Sequence, residues 1–469
     1  MWYGGGRSRG SRWKDEGGSA LPWRPFVDAV GSGIAVSDDA SNARTLISVA
    51  GAGGGGGGMT ASDWQAMGIF RPQDYGTIHP DKSADDSTAF QACLDGLTAS
   101  SYGGVMLIPP GDYLVGDLVS TATAYDAGHR WGRNTRRIQG AGRGATKLHA
   151  KTGATGILEV RGDESGGSVL PSCDVMDLAF DANGKTLSHM LKLRTLCWSQ
   201  FHRLWFDGNA NVAKGIHTSG MLTCEFNGLW TFGMQEGLYM TAGGGAYDLT
   251  WAANAIVVRN HVAACPTWAL HWLLGDGLQI DGHMDYEGCG TGWTSQPFTA
   301  STDTITVPSG HGLTNGTPIV FRGIDGVVTG TTKGVTIGRV YYVRDVASTS
   351  FKIATTVGGA AVDLTADATY ANFGKADTGG LYIENGRCAQ TGLLWCEANL
   401  ATDVKIAGSG DLEITNGLPL GGVVRNAGKL TARRVTASTT VDNTGGTLNT
   451  ENCPGIAVAA GNAANVWHA

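Results

Sequence analysis

The feature that most constrains this chain is an imperfect repeat that begins after Val169. Residues 177–181 (DLAFD) are echoed 26 residues later by residues 203–207 (RLWFD), and residues 228–232 (GLWTF) follow after another 25. Repeats of this length are typical of solenoids, because one short coil cannot bury its apolar side alone and stacking on its neighbours supplies the core. Asn and Gly after the apolar runs suit the left-handed backbone of tight corners, at Asn183-Gly184, Gly208-Asn209 and Asn385-Gly386.

Upstream of the repeat, residues 85–115 indicate one short helix followed by two strands. Acidic and hydroxyl residues at 85–88 precede apolar residues at helical spacing, and their oxygens can accept the unpaired first amides of a helix. The pair Gly103-Gly104 ends that pattern. The continuous apolar run 105–108 then predicts a strand buried on both faces, and a turn at 109–112 leads into the second strand.

These elements, in this order, resemble the opening module of the pectate-lyase-like right-handed β-helix family, which is common in bacteriophage tailspikes. The resemblance lies in the run Asp-Asp-Ser-Thr-Ala-Phe-Gln at 85–91, the Gly-Gly pair, and a Pro-x-Gly-x-Tyr turn that ends at Tyr113. An Asp-Tyr-Gly at 74–76 and a Gly-rich coil at 138–148 extend it. It implies an all-β fold, a right-handed parallel β-helix built as a single-stranded solenoid. It also implies a homotrimer whose coils pack around a threefold axis.

Composition agrees with a turn-rich β protein and excludes several functions. The 469 residues include 73 glycines, and only 16% are charged. The net charge of −7 gives no electrostatic case for binding nucleic acid or an anionic membrane surface. No apolar run is long enough for a transmembrane helix, and the N-terminus lacks an apolar signal core. Nine scattered cysteines without a Cys-x-x-Cys pair are expected to be free thiols in the core.

The chain divides into five segments. We expect a short N-terminal virion-attachment segment at 1–58, with a hairpin within 27–49 and a glycine linker at 51–58. A capping helix and the opening module of the β-helix follow at 59–150. The remaining segments are β-helix coils at 151–293, an inserted small β domain at 294–375, and C-terminal coils with a terminal β region at 376–469.

The inserted domain interrupts the coil pattern with four short strand-like runs, at 304–307, 318–321, 340–343 and 351–354. Its removal brings two hexapeptides, GLQIDG at 277–282 and GLYIEN at 380–385, to a separation of one coil. We therefore expect these hexapeptides to stack on adjacent coils.

Candidate functional residues are the outward side chains of this region, because side chains alternate along a strand. Stacked coils lie about 4.8 Å apart, so we expect Asp281 and Glu384 to be near neighbours. The candidate catalytic residues are Asp281, Glu384, Asp285 and His283. The candidate substrate-binding residues are Arg259, His261, Glu287, Tyr239 and Tyr382.

Two neighbouring carboxyls favour glycoside hydrolysis, which needs one acid and one nucleophile or water-activating base. Stacked carboxylates raise one another's pKa, which suits a general acid, and aromatic rings can stack on sugars. A lyase would instead use Arg259 or His283 as base, with calcium held by Asp281 and Asp285. The same residues also fit a transition-metal site or a solvated outer face whose charges pair locally. Six tryptophans are either sugar platforms or core and interface residues: Trp198, Trp205, Trp230, Trp251, Trp268 and Trp272.

The sequence thus predicts a phage virion spike or fibre that recognises a host cell-surface polysaccharide and cleaves it, more as a glycoside hydrolase than as a lyase. A non-catalytic adhesin is the second hypothesis, and a cellular pectinase-type lyase is a less favoured third. The expected partners are two further copies of the chain, other tail or baseplate proteins through the N-terminal segment, and the polysaccharide. No cofactor, resident metal, nucleic acid or membrane is expected. The missing signal core favours synthesis in the host cytoplasm and release by lysis.

Overall fold

The computed structural model describes residues 34–39, 44–49, 59–100, 103–122, 136–162, 172–241, 253–397, 399, 401–415, 422–435, 439–459 and 466–468. Most of the predicted attachment segment, including the glycine linker, lies outside the described residues, as does Trp251. The chain forms two compact units, Met1–Ile69 and Phe70–Ala469. No helix among the described residues is long and apolar enough to cross a membrane.

The first unit contains the predicted hairpin and short helix. Strands Ile34–Asp39 and Arg44–Val49 pair antiparallel. The helix Ala61–Ala66 begins with a capping box, in which Thr60 and Asp63 each satisfy an amide of the other's backbone. Strand Ile69–Phe70 follows at the boundary of the two units.

The second unit is a parallel β-helix, as predicted. Its strands stack in parallel register along three faces, and several run through a corner from one face to the next. We name the three faces by the residues that they hold. Face B holds 279–281, face A holds 284–287 and face C holds 381–383. The strands before the inserted domain are Asp81–Asp85, Gly104–Leu107, Gly111–Val115, Leu118–Ala122, Arg136–Gln139, Thr146–Ala150, Leu158–Gly162, Cys173–Met176, Ala179–Asp181, Leu187–Cys197, Gln200–His202, Trp205–Leu222, Glu225–Thr241, Ala253–Ala264, Trp268–Trp272 and Gly275–Glu287.

Apolar side chains at alternate positions form the stacked core inside the coils. Phe180 lies on Phe206 with ring centroids 4.8 Å apart, and Phe201 lies on Phe226 at the same distance. This spacing equals the separation of neighbouring strands, so like residues stack like residues. All nine cysteines are free and eight are buried, which confirms their predicted role as small core residues.

The predicted opening module is confirmed, with one exception. The helix Ser87–Ala99 follows a short 3-10 turn at Pro72–Asp74 and places four fully buried apolar side chains against the first coil: Phe90, Cys93, Leu94 and Leu97. Asp85 accepts from the Ser87 amide at 2.9 Å, whereas the buried Asp86 accepts from the His79 amide instead. The strand Gly104–Leu107 is not buried on both faces, because Leu107 points to solvent. A β-helix buries only the inner side of each strand.

The coils narrow towards the C-terminus. Among the described residues, face A ends with strand Leu393–Glu397, and the later strands pair along faces B and C. Sequence reasoning left narrower coils or a β-prism open for this region, and the pairing shows narrower coils. The strands here are Gly379–Gln390, Leu393–Glu397, Thr402–Thr415, Gly422–Asn426, Lys429–Arg433, Thr439–Asp442, Thr447–Glu451, Ile456–Val458 and Val466–His468.

The predicted small β domain is confirmed as a closed antiparallel barrel inserted at one corner of the solenoid. It leaves the β-helix after strand Gly275–Glu287 and returns at strand Gly379–Gln390. Arg322 of the barrel forms an ion pair with the fully buried Asp403 of the coils, which fixes the barrel on the solenoid. Its barrel strands are Gly292–Thr299, Thr304–Thr306, Pro318–Ile324, Val340–Arg344, Ser350–Ala354 and Ala368–Lys375, with a 3-10 turn at Ala300–Thr302 and a hairpin of Thr331–Thr332 with Val335–Thr336.

Candidate functional site

The structure distributes the predicted site residues over three faces. Face B carries Arg259 and Asp281, face C carries Tyr239, Tyr382 and Glu384, and face A carries His283, Asp285 and Glu287. The predicted patch is therefore not one site.

The expected contact between Asp281 and Glu384 is wrong, because the two hexapeptides do not stack. Leu278 pairs with Cys388, whereas Leu381 pairs with Leu270. The two hexapeptides are alike because every strand of this solenoid needs apolar residues at inward positions and polar residues at outward positions. Their likeness does not reflect neighbouring positions on one face.

The expected outward orientation of His261 is also wrong, since its side chain is fully buried. Asn260 adopts a left-handed backbone (φ 51°) and turns the corner between faces B and A. Alternation therefore does not continue from Arg259, which points out, to His261, which points in. The imidazole forms hydrogen bonds with Thr231 Oγ1 (2.9 Å) and Tyr286 Oη (3.4 Å). Burial lowers the pKa of His261 to about 3.

On face B, Arg259 bridges two carboxylates from the coils on either side. Its Nη1 lies 2.7 Å from Glu225 Oε1 and its Nε lies 3.1 Å from Asp281 Oδ2. The hydrogen bond from Arg259, together with one from the Gly282 amide, lowers the pKa of Asp281. Asp281 is thus held ionised, which does not suit the role of general acid.

On face C, His271 bridges two carboxylates in the same manner. Its Nδ1 lies 2.8 Å from Glu236 Oε1 and its Nε2 lies 3.1 Å from Glu384 Oε2. The side chains of His271 and Glu236 are 11% and 14% exposed, whereas Glu384 is 39% exposed. Glu384 is therefore the member of this cluster that reaches solvent. We call Glu236, His271 and Glu384 the face C cluster.

Aromatic rings from successive coils flank this cluster in one column. His271 stacks on Tyr382 at 4.5 Å between centroids and contacts Tyr239 edge-on at 5.1 Å. Lys214 and Lys405 place their ammonium groups 4.4 Å from the rings of Tyr239 and Tyr382, respectively. Burial and the neighbouring Glu384 raise the pKa of Tyr382 to about 12, so its hydroxyl stays protonated.

A shallow depression of about 420 Å³ opens beside Glu384. Thr241, Leu273, Asn385 and Ser409 contribute to its lining. The cluster therefore has an acidic group at the edge of a solvent-accessible depression and a second one connected to it through an imidazole.

The face C cluster can transfer protons, because a neutral imidazole holds one proton that either nitrogen can carry. Two hydrogen bonds and one ring width place the two bonded carboxylate oxygens roughly 7 to 8 Å apart, with the imidazole between them. A guanidinium, in contrast, stays protonated and cannot pass a proton onward. The two bridged pairs therefore differ in the chemistry that they permit.

Sequence reasoning found Glu384, Tyr239 and Tyr382 but missed Glu236 and His271. In the sequence, His271 lies between Trp268 and Trp272, which are both buried. The alternation in the run WALHW places His271 at an outward position. The repeated Gly-Leu-Tyr at 237–239 and 380–382 was the available signal, since these tripeptides do lie on face C, one coil before and one coil after His271.

The other predicted groups have separate surroundings. Asp281 and Asp285 lie on different faces, so the structure does not bring them together as a calcium pair. Among the described residues, no group of three or more His, Cys, Asp or Glu side chains is arranged to hold a metal ion. Of the tryptophans, Trp268 and Trp272 are core residues, Trp205 and Trp230 are half-buried, and Trp198 is exposed.

No protein-family model and no curated protein matches this chain. Among solved structures, the chain is similar to Geobacillus virus E2 ORF18 at 12% identity with a TM-score of 0.41, over 93% of this chain and 66% of that one, so it spans just under two thirds of the phage protein. It is similar to the A-module of the Azotobacter vinelandii mannuronan C-5 epimerase AlgE6 at 12% identity and TM-score 0.41, over 85% and 99%. Pantoea stewartii WceF, a glycan biofilm modifying enzyme with a tailspike-like parallel β-helix, matches at 13% identity and TM-score 0.31, over 84% and 37%.

Proposed function

We propose that this protein binds a polysaccharide along face C and hydrolyses it with the carboxylates of the face C cluster. The observation that carries the proposal is the bridge through His271, which connects the exposed Glu384 to Glu236 with hydrogen bonds of 3.1 and 2.8 Å. The half-buried rings of Tyr239 and Tyr382 lie beside it and can contact sugars.

In the proposed reaction, Glu384, which lies within hydrogen-bond distance of His271 Nε2, takes a proton from the attacking water. Glu236 donates a proton to the leaving glycosidic oxygen, and the anomeric centre is inverted. After cleavage, Glu384 holds the extra proton and Glu236 lacks one. In the starting state the imidazole carries its proton on Nε2, beside Glu384. Once that proton has moved through water from Nε2 to Nδ1, transfer of the Glu384 proton to Nε2 and release of the Nδ1 proton to Glu236 restore the starting state.

The wider role that we propose is that of a homotrimeric virion spike or fibre acting on host surface polysaccharide. It rests on the likeness of residues 85–113 to the opening module of tailspike β-helices. Light scattering tests the assembly, since a trimer has three times the 48.7 kDa mass of one chain. A chain that remains monomeric at micromolar concentration would contradict that part of the proposal.

The test of cleavage measures new reducing ends and unsaturated-uronate absorbance on neutral, uronate-bearing and sulfated polysaccharides. We expect reducing ends without the absorbance for the parent protein, and a loss of about 10²- to 10⁴-fold for Glu384→Gln, the usual contribution of a general base. Asp281→Asn is the matched control, because it removes an equally exposed carboxylate on face B. We expect it to retain activity.

Three outcomes would overturn the proposed reaction. Absorbance together with reducing ends would mean a lyase. An inactive Asp281→Asn variant together with an active Glu384→Gln variant would place the catalytic site on face B. Binding without either product would mean an adhesin, which is the second candidate function.

A further inference from the structure

A second groove follows the corner between faces B and A, away from the face C cluster. Its volume is about 520 Å³, and its lining includes Arg143, Arg203, Trp230, Asn260 and His283. These residues come from successive coils, so the groove runs along the solenoid axis.

The corner residues explain why a groove forms here. Asp177, Arg203, Gly228 and Asn260 all have positive φ, between 51° and 70°, and each turns the chain from face B to face A within one or two residues. The coil that precedes them has a longer corner, the loop 140–145, which places Arg143 beside the later corners. Short corners thus form the floor, and the longer loop forms one end.

Arg143 lies flat against a pair of stacked tryptophans. Its guanidinium carbon is 4.7 Å from the ring centroid of Trp230 and 6.0 Å from that of Trp205, and the two indoles stack at 5.0 Å. Trp205, Trp230 and Val262 occupy the same position on three successive coils, which makes an apolar strip beside the guanidinium.

Among the described residues, no carboxylate lies within ion-pair distance of Arg143. The other arginine of the groove, Arg203, is already held by Asp177 through two hydrogen bonds of 2.5 and 2.7 Å. A guanidinium that stacks on an aromatic face keeps its in-plane N–H groups free for a second partner. Arg143 can therefore receive an anionic group without losing its contact with Trp230.

We propose that this groove is a second, non-catalytic binding site for an anionic saccharide, whose carboxylate or sulfate pairs with Arg143 while a sugar ring packs on Trp230. Carboxylate and sulfate both match the planar fork of arginine. The strip over three coils is long enough to contact more than one sugar ring. The net charge of −7 disfavours a nucleic acid, whose affinity depends on many cationic contacts.

The test is calorimetric titration of the full chain carrying Glu384→Gln, so that cleavage on face C does not consume the ligand. The probes are oligogalacturonate for the carboxylate, dextran sulfate for the sulfate, and dextran as the neutral saccharide. We expect one or both anionic probes to bind, and Arg143→Gln to weaken that binding about tenfold or more, the usual effect of removing a charged hydrogen-bond donor. Arg143→Lys should restore part of the affinity.

The matched control is Arg339→Gln, which removes an arginine from over the Tyr341 ring of the barrel, outside the groove. We expect this variant to bind like its parent. Equal binding by Arg143→Gln and its parent, failure of both anionic probes, or equal binding of dextran would overturn the proposal. Binding of oligothymidylate as tight as that of the anionic saccharides would assign the groove to nucleic acid instead. None of these outcomes depends on activity, so the groove and the face C reaction fail separately.

Discussion

Faces B and C each carry a pair of carboxylates bridged by a basic side chain from the coil between them. On face B the bridge is Arg259, and on face C it is His271. The geometry is alike because both triplets follow from the same stacking of coils. The difference lies in the bridge, since arginine keeps its proton at every physiological pH whereas histidine exchanges one.

The comparison teaches that a stacked carboxylate pair is not by itself a catalytic pair. Arg259 lowers the pKa of Asp281, holds it as a fixed anion and also pairs with Glu225, which is a stabilising role for the surface. His271 can pass a proton between its two carboxylates. The bridging residue, rather than the carboxylates, therefore decides whether such a carboxylate pair is only structural or can transfer a proton.

The sharpest way to break this comparison is to exchange the bridge. His271→Arg keeps hydrogen-bond donors between Glu236 and Glu384 but removes the proton path, so we expect hydrolysis to fall by about 10²-fold or more, a typical share for acid–base catalysis. The measurement is the rate of reducing-end formation across pH. Arg259→His on face B is the matched exchange, and we expect it to leave the rate unchanged. A His271→Arg variant with parental activity would show that the imidazole is not a relay.

The next largest effect concerns an imidazole that has no carboxylate partner among the described residues. His261 is fully buried and its pKa is lowered to about 3, so it is neutral in the folded protein. The His261 side chain binds a proton near pH 6.5 in the unfolded chain but not in the folded one, so protonation favours the unfolded chain. The resulting loss in the free energy of unfolding is absent above pH 6.5 and grows as the pH falls towards 3. Between pH 7.5 and 5 we expect the loss of stability from this group to be about 2 kcal/mol.

Urea unfolding of the parent and His261→Gln at the two pH values measures this loss. We expect the variant to be less sensitive to acid than its parent. The exposed His283→Gln is the control and should track the parent. Equal acid sensitivity of His261→Gln and the parent would contradict the assignment of this loss to His261.

Much of the fold was predictable because its signals are local. The helix at 87–99 and four of the six barrel strands depend on neighbours a few residues apart. The stacking of residues 179–181 on 205–207, and of Trp205 on Trp230, follows from repeats of nearly constant length.

The candidate site was predictable only in part, because it depends on register across corners of variable length. Arg259 and Asp281 are 22 positions apart in the sequence, whereas His271 and Glu384 are 113 positions apart, with the barrel between them. One additional corner residue at Gly282 shifts the pairing from Arg259–Asp281 to His261–Met284. Such a corner exchanges inward and outward positions. In the preceding coil the left-handed Asn260 interrupts the alternation after Arg259, which is why the orientation of His261 was predicted wrongly.

A third pair of bridged carboxylates, Asp112 and Asp181, lies in the opening coils and extends the comparison. His149 lies 2.8 Å from Asp112 and 3.1 Å from Asp181. Burial opposes protonation of His149, but the two carboxylates outweigh it and raise its pKa. The resulting stability is fully present below pH 6.5 and is lost as the pH rises through the raised pKa, which is the opposite sign to His261.

His149→Gln therefore tests whether a bridging imidazole stabilises the fold as a cation. We expect the variant to lose more stability relative to the parent at pH 5.5 than at pH 9, measured by urea unfolding. A loss that is equal at both pH values would mean that His149 acts only through packing and neutral hydrogen bonds.

The smallest expected effect belongs to the guanidinium bridge of face B. Asp281 and Arg259 are 38% and 34% exposed, and solvent screens ion pairs of this kind. We expect Asp281→Asn to cost no more than about 1 kcal/mol at pH 7. Because the pKa of Asp281 is lowered, this contribution is present above pH 3.8 and is lost as the pH falls through its folded value. It should also shrink in concentrated salt. A loss of several kcal/mol that resists salt would mean that the coils depend on this bridge, and that face B is more than a solvated ladder of charges.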